Sequence, residues 1–378
     1  MSLAHDGFIT IDKKRIFILG TYHLPHGEAP YRTLAENGFN LVRTPLEQKA
    51  LAEALQNNLF TWSGIGHLEL SAASEKVEAF QERIRRWKNH PALLFWELED
   101  EPAFTWRSAE PRVKPEALIF TYNLVKKEDP DHFVYLNHAP VNLVSTLQKY
   151  NPSADVLACD VYPVIPYGIR PSYALFDDGL QGDLLNTSMS QVGEYVDKLK
   201  RVSSNKPLLL ILQGFAWEML RKEGDRDSSM VLYPDYKQLR FMAYNAIIHG
   251  VNGLLFWGTS YTPPEAPFWK DLFKLTKELH KLHEVLSAPA VPNFITTEYN
   301  EMGHSVDAGV EILTKKVGDD FYLITANADR NPVKVTLGGL QEFMVMESTA
   351  EGQSTDVHNG SFTEIYEAFA LKVFLLKK

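Results

Sequence analysis

The 378-residue sequence predicts a (β/α)8 barrel followed by a small antiparallel β-sandwich. Eight short apolar runs alternate with longer amphipathic stretches, the pattern of parallel strands covered by helices. Beyond residue 293 apolar and polar residues alternate with a period of two, which is typical of antiparallel strands joined by hairpins. A doubly wound open sheet is the competing fold. The barrel is favoured because a glycine-rich phosphate loop does not follow the first run.

The predicted barrel strands are nearly continuously apolar, as expected for strands buried on both faces. They span residues 15–23, 39–45, 59–66, 92–101, 132–139, 155–163, 207–215 and 253–261. Residues 71–90 predict a helix with Ser71 as its N-cap and four large apolar residues on one face. Pro115 predicts the start of another helix, and Gly250 the end of a third.

Two domains are expected. The stretch SAPAVPN at 287–293 has the composition of a linker, so residues 1–287 are assigned to the barrel and residues 288–378 to a β-sandwich accessory domain. A hairpin at 7–19 is predicted either to close the bottom of the barrel or to pair with the C-terminal tail.

Composition narrows the classes of partner. A net charge of −10 argues against nucleic acid and anionic membranes, which bind basic surfaces, and leaves neutral ligands open. The single cysteine, Cys159, excludes an internal disulfide and a cysteine-cluster metal site. Apolar runs long enough to span a membrane are missing, and a cofactor is not expected. The start MSLAHDG lacks a leader pattern, so the expected location is cytoplasmic, or periplasmic or secreted if a leader has been removed. Oligomeric state is left open.

Chemistry in a barrel of this kind lies at the C-terminal ends of its strands. Those ends carry carboxylates, one arginine, amides, histidines and aromatic residues. They are Tyr22, His23, Arg43, Trp62, Glu99, Asp100, Glu101, Asn137, His138, Asp160, Tyr162, Gln213 and Trp257, with Trp217 shortly after the seventh strand. Flat aromatic faces beside polar groups suit a sugar ring, which is apolar on its faces and hydroxylated at its edge. A carbohydrate partner is therefore predicted.

The motifs GFNLVRTP, FWELEDEP, VYP and KPLLLILQGF resemble, in order and strand position, those of the clan-A (β/α)8 glycoside hydrolases, which include cellulase-like and β-galactosidase-like enzymes. The resemblance covers residues 15–285. It implies hydrolysis of O-glycosidic bonds with Glu101 as general acid/base. It further implies that Arg43 and Tyr162 position the nucleophile and that Trp257 forms the floor of the sugar subsite.

Two departures concern the mechanism. Asp100 replaces the asparagine of the family motif, and Gln213 occupies the position of the nucleophilic glutamate. Three alternatives follow: inversion, with Asp160, Glu218 or Glu99 activating water; a nucleophile supplied by a 2-acetamido group of the substrate; or a catalytically inactive, glycan-binding barrel. Because Asp100 adjoins Glu101, one of the two is expected to keep its proton near neutral pH, as a general acid requires.

The predicted catalytic residues are Glu101, Asp100 and Asp160. The predicted substrate-binding residues are His23, Arg43, Trp62, Asn137, His138, Tyr162, Gln213, Trp217 and Trp257. His23 and His26 invite a metal interpretation, but only His138 and Asp160 are available to complete such a site, and contact with substrate or solvent is favoured.

Overall fold

The computed structural model describes residues 1–105, 110–166, 188–300, 305–349 and 352–378. A small antiparallel sheet comes first, formed by β1 (Ser2–Leu3), β2 (Ile9–Ile11) and β3 (Lys14–Arg15). Ile9 of β2 is fully buried and packs with the residues that fill the barrel interior. The N-terminal hairpin therefore closes the bottom of the barrel, one of its two predicted placements.

Eight parallel strands close into a barrel in chain order. They are β4 (Ile18–Thr21), β5 (Leu41–Arg43), β6 (Phe60–Gly64), β7 (Leu93–Asp100), β8 (Phe133–His138), β9 (Val156–Val161), β10 (Leu208–Gln213) and β11 (Gly253–Trp257). Pairing of β11 with β4 completes the ring. Each strand lies within one of the eight apolar runs, so the predicted barrel is confirmed.

Helices cover the outside of the barrel. They are α1 (Pro30–Glu36), α2 (Gln48–Gln56), α3 (Ser74–Trp87), α4 (Pro115–Glu128), α5 (Val144–Gln148), α6 (Gln191–Ser203), α7 (Tyr236–Ile248), α8 (Phe268–Lys281) and α9 (His283–Ser287). Pro115 begins α4 as predicted. The predicted N-cap Ser71 is wrong, because α3 starts at Ser74 after Ala73, without a side-chain cap.

Two packed sheets form the C-terminal part. One contains β12 (Thr296–Tyr299), β15 (Val333–Gly338) and β18 (Phe362–Tyr366). The other contains β13 (Val310–Val317), β14 (Asp320–Asn327), β16 (Val345–Ser348), β17 (Ser354–Asp356) and β19 (Leu371–Lys377). Apolar residues from both sheets share one core, which confirms the predicted β-sandwich.

Polar contacts attach the sandwich to the barrel. His249, which follows α7, contacts Asp197 of α6 at 2.8 Å and Glu311 of β13 at 3.0 Å. Lys315 of β13 is buried and donates to the carbonyl of Ala288 at 2.6 Å. Arg240 of α7 donates to the carbonyl of Leu371 at 3.2 Å. Over the described ranges, none of the helices is at once long and apolar enough to cross a bilayer.

Candidate active site

A bulge in β7 decides which carboxylates enter the barrel mouth. Glu97 pairs with Tyr135 of β8, and the next pair along the strands is Asp100 with Asn137. The step is three residues on β7 and two on β8, so β7 carries one extra residue. In a regular strand, residues three apart point to opposite faces. The extra residue returns Asp100 to the face of Glu97. The Glu97 carboxylate contacts Arg43 of β5, and the Asp100 carboxyl contacts Asn137 of β8.

Glu97 is bound to Arg43. The Arg43 Nε donates to Glu97 Oε2 at 2.7 Å, and Glu97 is only 2% exposed. Burial raises the pKa of Glu97, and the adjacent guanidinium opposes that rise. Gly64 at the end of β6 makes room for the pair, because a Cβ there would lie 2.9 Å from Arg43 Nη2. The resemblance assigned Arg43 to a nucleophile, whereas its partner here is a carboxylate of β7.

Three strands contribute to a carboxyl network beside this ion pair. Asn137 Nδ2 donates to Asp100 Oδ1 at 2.9 Å and to Asp160 Oδ1 at 3.3 Å. The Asp160 carboxyl is in turn hydrogen-bonded to that of Glu101. A hydrogen bond between two carboxyl groups needs a proton on one of them. The structure therefore brings together the three predicted catalytic residues.

The pKa values of this network favour protonated carboxyl groups. Burial, with the charge of Asp100 second, raises the pKa of Asp160 to about 7. Burial, followed by the charges of Asp160 and Asp100, raises the pKa of Glu101 well above its usual range. Burial also raises the pKa of Asp100. The Glu101–Asp160 pair therefore holds a proton at neutral pH.

Glu101 itself has an unusual backbone. Its φ is +46°, a left-handed conformation that residues other than glycine seldom adopt. Its backbone N–H donates to the carbonyl of Asn137 at 3.2 Å, and its own carbonyl accepts from Phe104 N–H at 3.0 Å. Strain of this kind persists where the surrounding structure fixes it, and it clusters at functional sites. The carboxyl is partly accessible, with 21% of the side chain exposed.

Aromatic residues form a wall at the same end of the barrel. Tyr162 and Trp257 are stacked, with ring centroids 5.7 Å apart. Phe215 meets both rings edge-on, at 5.1 and 5.2 Å. The Trp217 Nε1 donates to the carbonyl of Tyr162 at 3.3 Å. Tyr261, 44% exposed, continues the wall 5.8 Å from Trp257. The sequence analysis did not select Phe215 and Tyr261, the last residues of two predicted strands, which lie beyond the observed ends of β10 and β11.

His23 lies near the aromatic wall, within reach of the charge of Arg43. Its ring centroid is 6.2 Å from that of Trp257, and the side chain is partly exposed. Burial, with the charge of Arg43 second, lowers the pKa of His23 to about 4. The imidazole is therefore neutral near pH 7 and able to form hydrogen bonds with a neutral ligand.

Three predicted substrate-binding residues are instead fully buried. Trp62 is 0% exposed inside the barrel, where its ring contacts Tyr22 at 5.0 Å. His138 is 0% exposed and packs against Tyr150 at 6.3 Å; burial lowers its pKa to about 3. Neither side chain has exposed surface here, and their contact with substrate stays a prediction. Both residues belong to apolar runs whose packing fills a core, and the sequence did not separate that role from a ligand contact.

Gln213 is the third such residue, also 0% exposed. Its amide donates to the carbonyls of Val164 and Phe215 and accepts from Val164 N–H, at 2.9 to 3.0 Å. It thus fastens the segments after β9 and β10. Glu218, one of the alternative bases, is 1% exposed, and its Oε1 accepts from Arg221 at 3.1 Å. Among the residues with described positions, groupings of three or more histidine, cysteine or acidic side chains suited to a metal ion are absent.

Comparisons with known proteins match the fold. A solved structure described as a glycoside hydrolase aligns with a TM-score of 0.63 and 13% identity, over 100% of this chain and 96% of that chain. A glycoside hydrolase family 5 protein from Bacteroides vulgatus aligns with a TM-score of 0.59 and 11% identity, over 99% and 92%. An alpha-amylase from Geobacillus thermoleovorans, complexed with acarbose, aligns with a TM-score of 0.60 and 9% identity, over 97% and 100%.

The comparisons by sequence found no match, either among family models or among curated proteins. At identities of 9 to 13% the structural likeness concerns the fold alone. The chain therefore has the architecture found in glycoside hydrolases of several kinds, a (β/α)8 barrel with a β-rich C-terminal domain.

Proposed function

We propose that this protein is a glycoside hydrolase that uses Glu101 as its general acid. One observation supports this above all: a carboxyl pair, Glu101 with Asp160, lies in the same barrel mouth as a stacked aromatic wall, and burial raises the pKa of both groups. A sugar ring resting on Trp257 or Tyr162 needs hydrogen-bonding groups at its edge and an acid near its glycosidic oxygen. The fold shared with glycoside hydrolases is consistent with this activity.

The chemistry begins with proton transfer. Glu101 gives its proton to the glycosidic oxygen as the bond to the anomeric carbon breaks. Glu101 then carries a negative charge beside Asp160, and it regains a proton from the water that is consumed. Two carboxyl groups in hydrogen-bond contact are closer than the ~5–5.5 Å of a retaining acid–nucleophile pair. We therefore assign Asp160 to proton sharing with Glu101 rather than to nucleophilic attack.

Two mechanisms are compatible with Glu101 as the acid. Residue 213 carries an amide bound to backbone groups, and the Glu97 carboxylate is paired with Arg43, so neither residue supplies a free carboxylate. Inversion by an activated water and assistance by a 2-acetamido group are both compatible with Glu101 as acid. NMR of the first product distinguishes these mechanisms by its anomeric configuration. Cleavage assisted by the 2-acetamido group retains the configuration, whereas attack by an activated water inverts it.

A comparison of two leaving groups tests the role of Glu101. A panel of α- and β-linked oligosaccharides and aryl glycosides identifies a substrate, and the Glu101→Gln variant is then assayed. Loss of a general acid is expected to slow cleavage of an unactivated glycoside by about 10²–10⁴-fold. A dinitrophenyl glycoside, whose leaving group needs no proton, should lose far less. Glu82→Gln, an exposed residue of α3, is the matched control.

The rival function is glycan binding without catalysis, and the amide at position 213 is the observation that favours it. Binding of oligosaccharides by the wild-type protein, with no product from any member of the panel, would support the rival. Equal slowing of both leaving groups by Glu101→Gln would remove Glu101 from proton transfer.

A further inference from the structure

Arg112 is a charged residue beside the carboxyl network that the sequence analysis did not single out. Its Nη1 lies 3.8 Å from Glu101 Oε2, and its Nη2 lies 3.6 Å from Glu99 Oε1. The side chain is 47% exposed, so the guanidinium stands on the solvent side of Glu101. Asp160 contacts the same carboxyl from β9. Glu101 is thus held between a cation and a carboxyl partner.

The backbone, and not the guanidinium, fixes where Arg112 stands. Arg112 N–H donates to the carbonyl of Phe104 at 3.2 Å, and Val113 N–H donates to that of Pro102 at 3.0 Å. Val113 is also 3% exposed, which anchors the end of the segment. A half-exposed ion pair adds little to stability. We therefore expect substitutions of the Arg112 side chain to fold normally.

Glu99 links Arg112 to a second element. Its Oε2 contacts His67 Nδ1 at 3.0 Å, and its Oε1 accepts from the backbone N–H of Asp100 at 3.1 Å. Glu99 is thereby held apart from Glu101 although only one residue separates them in sequence. Without a cation between them, two adjacent carboxylates would raise the cost of ionising Glu101 after it gives up its proton.

We propose that Arg112 is a positioning residue for proton transfer: its charge separates Glu99 from Glu101 and stabilises the Glu101 carboxylate that remains after the glycosidic oxygen is protonated. This inference rests on the proposed function. The contacts of 3.6 and 3.8 Å are longer than hydrogen bonds, so the effect depends on charge and not on a bidentate geometry. Lysine should therefore replace arginine, whereas glutamine should not.

The sign of the effect follows from the groups that face Glu101. Asp100 and Asp160 each favour its protonated form when they are ionised. Burial raises the pKa of Tyr162 well above its usual range, so this phenol adds no charge. Arg112 opposes the two carboxylates and lowers the pKa of Glu101. Loss of the guanidinium should raise that pKa by about 0.5–1 unit, at or below the lower limit of the range for opposite charges, because Arg112 is half exposed.

The test measures the Glu101 carboxyl directly. Protein with ¹³C-labelled glutamate is titrated by NMR, and the Glu101 signal is identified by its absence in Glu101→Gln. Its midpoint should move upward by about 0.5–1 unit in Arg112→Gln and stay near the wild-type value in Arg112→Lys. Arg85→Gln is the matched control, because Arg85 is 40% exposed and also contacts two glutamates, Glu78 and Glu128.

A midpoint that does not move in Arg112→Gln, or moves equally in Arg85→Gln, overturns the proposal. This titration needs no substrate, so absence of turnover would refute the proposed function without touching the result. Where a substrate is found, the high-pH limb of kcat should shift upward in Arg112→Gln, since the acid stays protonated longer. A uniform fall in kcat with an unshifted limb would indicate a merely structural role and also overturn it.

Discussion

Replacing Asp160 with asparagine should stabilise the protein while it damages the site. The pKa of Asp160 is raised from 3.8 to about 7 in the folded protein. A difference of about 3 units corresponds to at most ~4 kcal/mol of unfolding free energy at neutral pH. Asparagine keeps an oxygen that can accept from Asn137 and from Glu101, but it carries no charge to bury. The variant should therefore be more stable by about 2–4 kcal/mol at pH 8.

The pH dependence gives the sharper measurement. Folding raises the pKa of Asp160. Its contribution to the unfolding free energy of the wild-type protein is therefore fully present below about pH 4 and is lost as the pH rises to about 7. Urea unfolding of both proteins from pH 4 to 8 should show their stabilities diverging by roughly 1.4 kcal/mol per pH unit at the steepest. Turnover by Asp160→Asn should fall, since Glu101 loses its proton-sharing partner.

Asp131→Asn serves as the control, because Asp131 is exposed and precedes the start of β8, whereas Asn137 of the network lies at the other end of that strand. Its stability should run parallel to that of the wild-type protein. If the Asp160→Asn curve also runs parallel between pH 4 and 8, then Asp160 is not buried beside a second carboxyl in solution, and the reasoning about a shared proton fails.

Two further predictions concern Gln213 and Lys315. Gln213→Glu should gain no glycosidase activity and should lose about 1–3 kcal/mol in urea unfolding, because a carboxylate there cannot donate to the carbonyls of Val164 and Phe215; new activity would contradict the structural role of the amide. Burial lowers the pKa of Lys315 from 10.5 to about 8, so its charge disfavours folding at low pH and the cost disappears as the pH rises. Wild-type stability minus that of Lys315→Met should grow by roughly 3 kcal/mol from pH 8 to 10.5, and a constant difference would refute this.

The strands were readable from the sequence because parallel strands covered on both faces must be apolar almost throughout. The sandwich was readable for the complementary reason, since one exposed face imposes a period of two. The N-cap of α3 was missed because the helix begins at Ser74, after a turn that hydrophobic periodicity does not register.

The location of the candidate site could be predicted from the sequence, but the roles of its residues could be predicted less well. Strand ends converge in any closed barrel, and this brought Asp100, Glu101 and Asp160 together as expected. The sequence did not predict which side chains face the mouth. The bulge between Glu97 and Asp100 breaks the two-residue period, and no residue type in LEDE marks it.

The barrel, the sandwich and the convergence of acidic and aromatic residues could be predicted from the sequence, because they follow from local apolar patterning and from the closure of parallel strands. The folded structure was needed to place the Asp160 carboxyl against that of Glu101, the Gln213 amide against backbone groups, and Arg112 beside Glu101. Those facts depend on distances between segments far apart in the chain. Packing and strand register set these distances, and local sequence patterns do not reveal them.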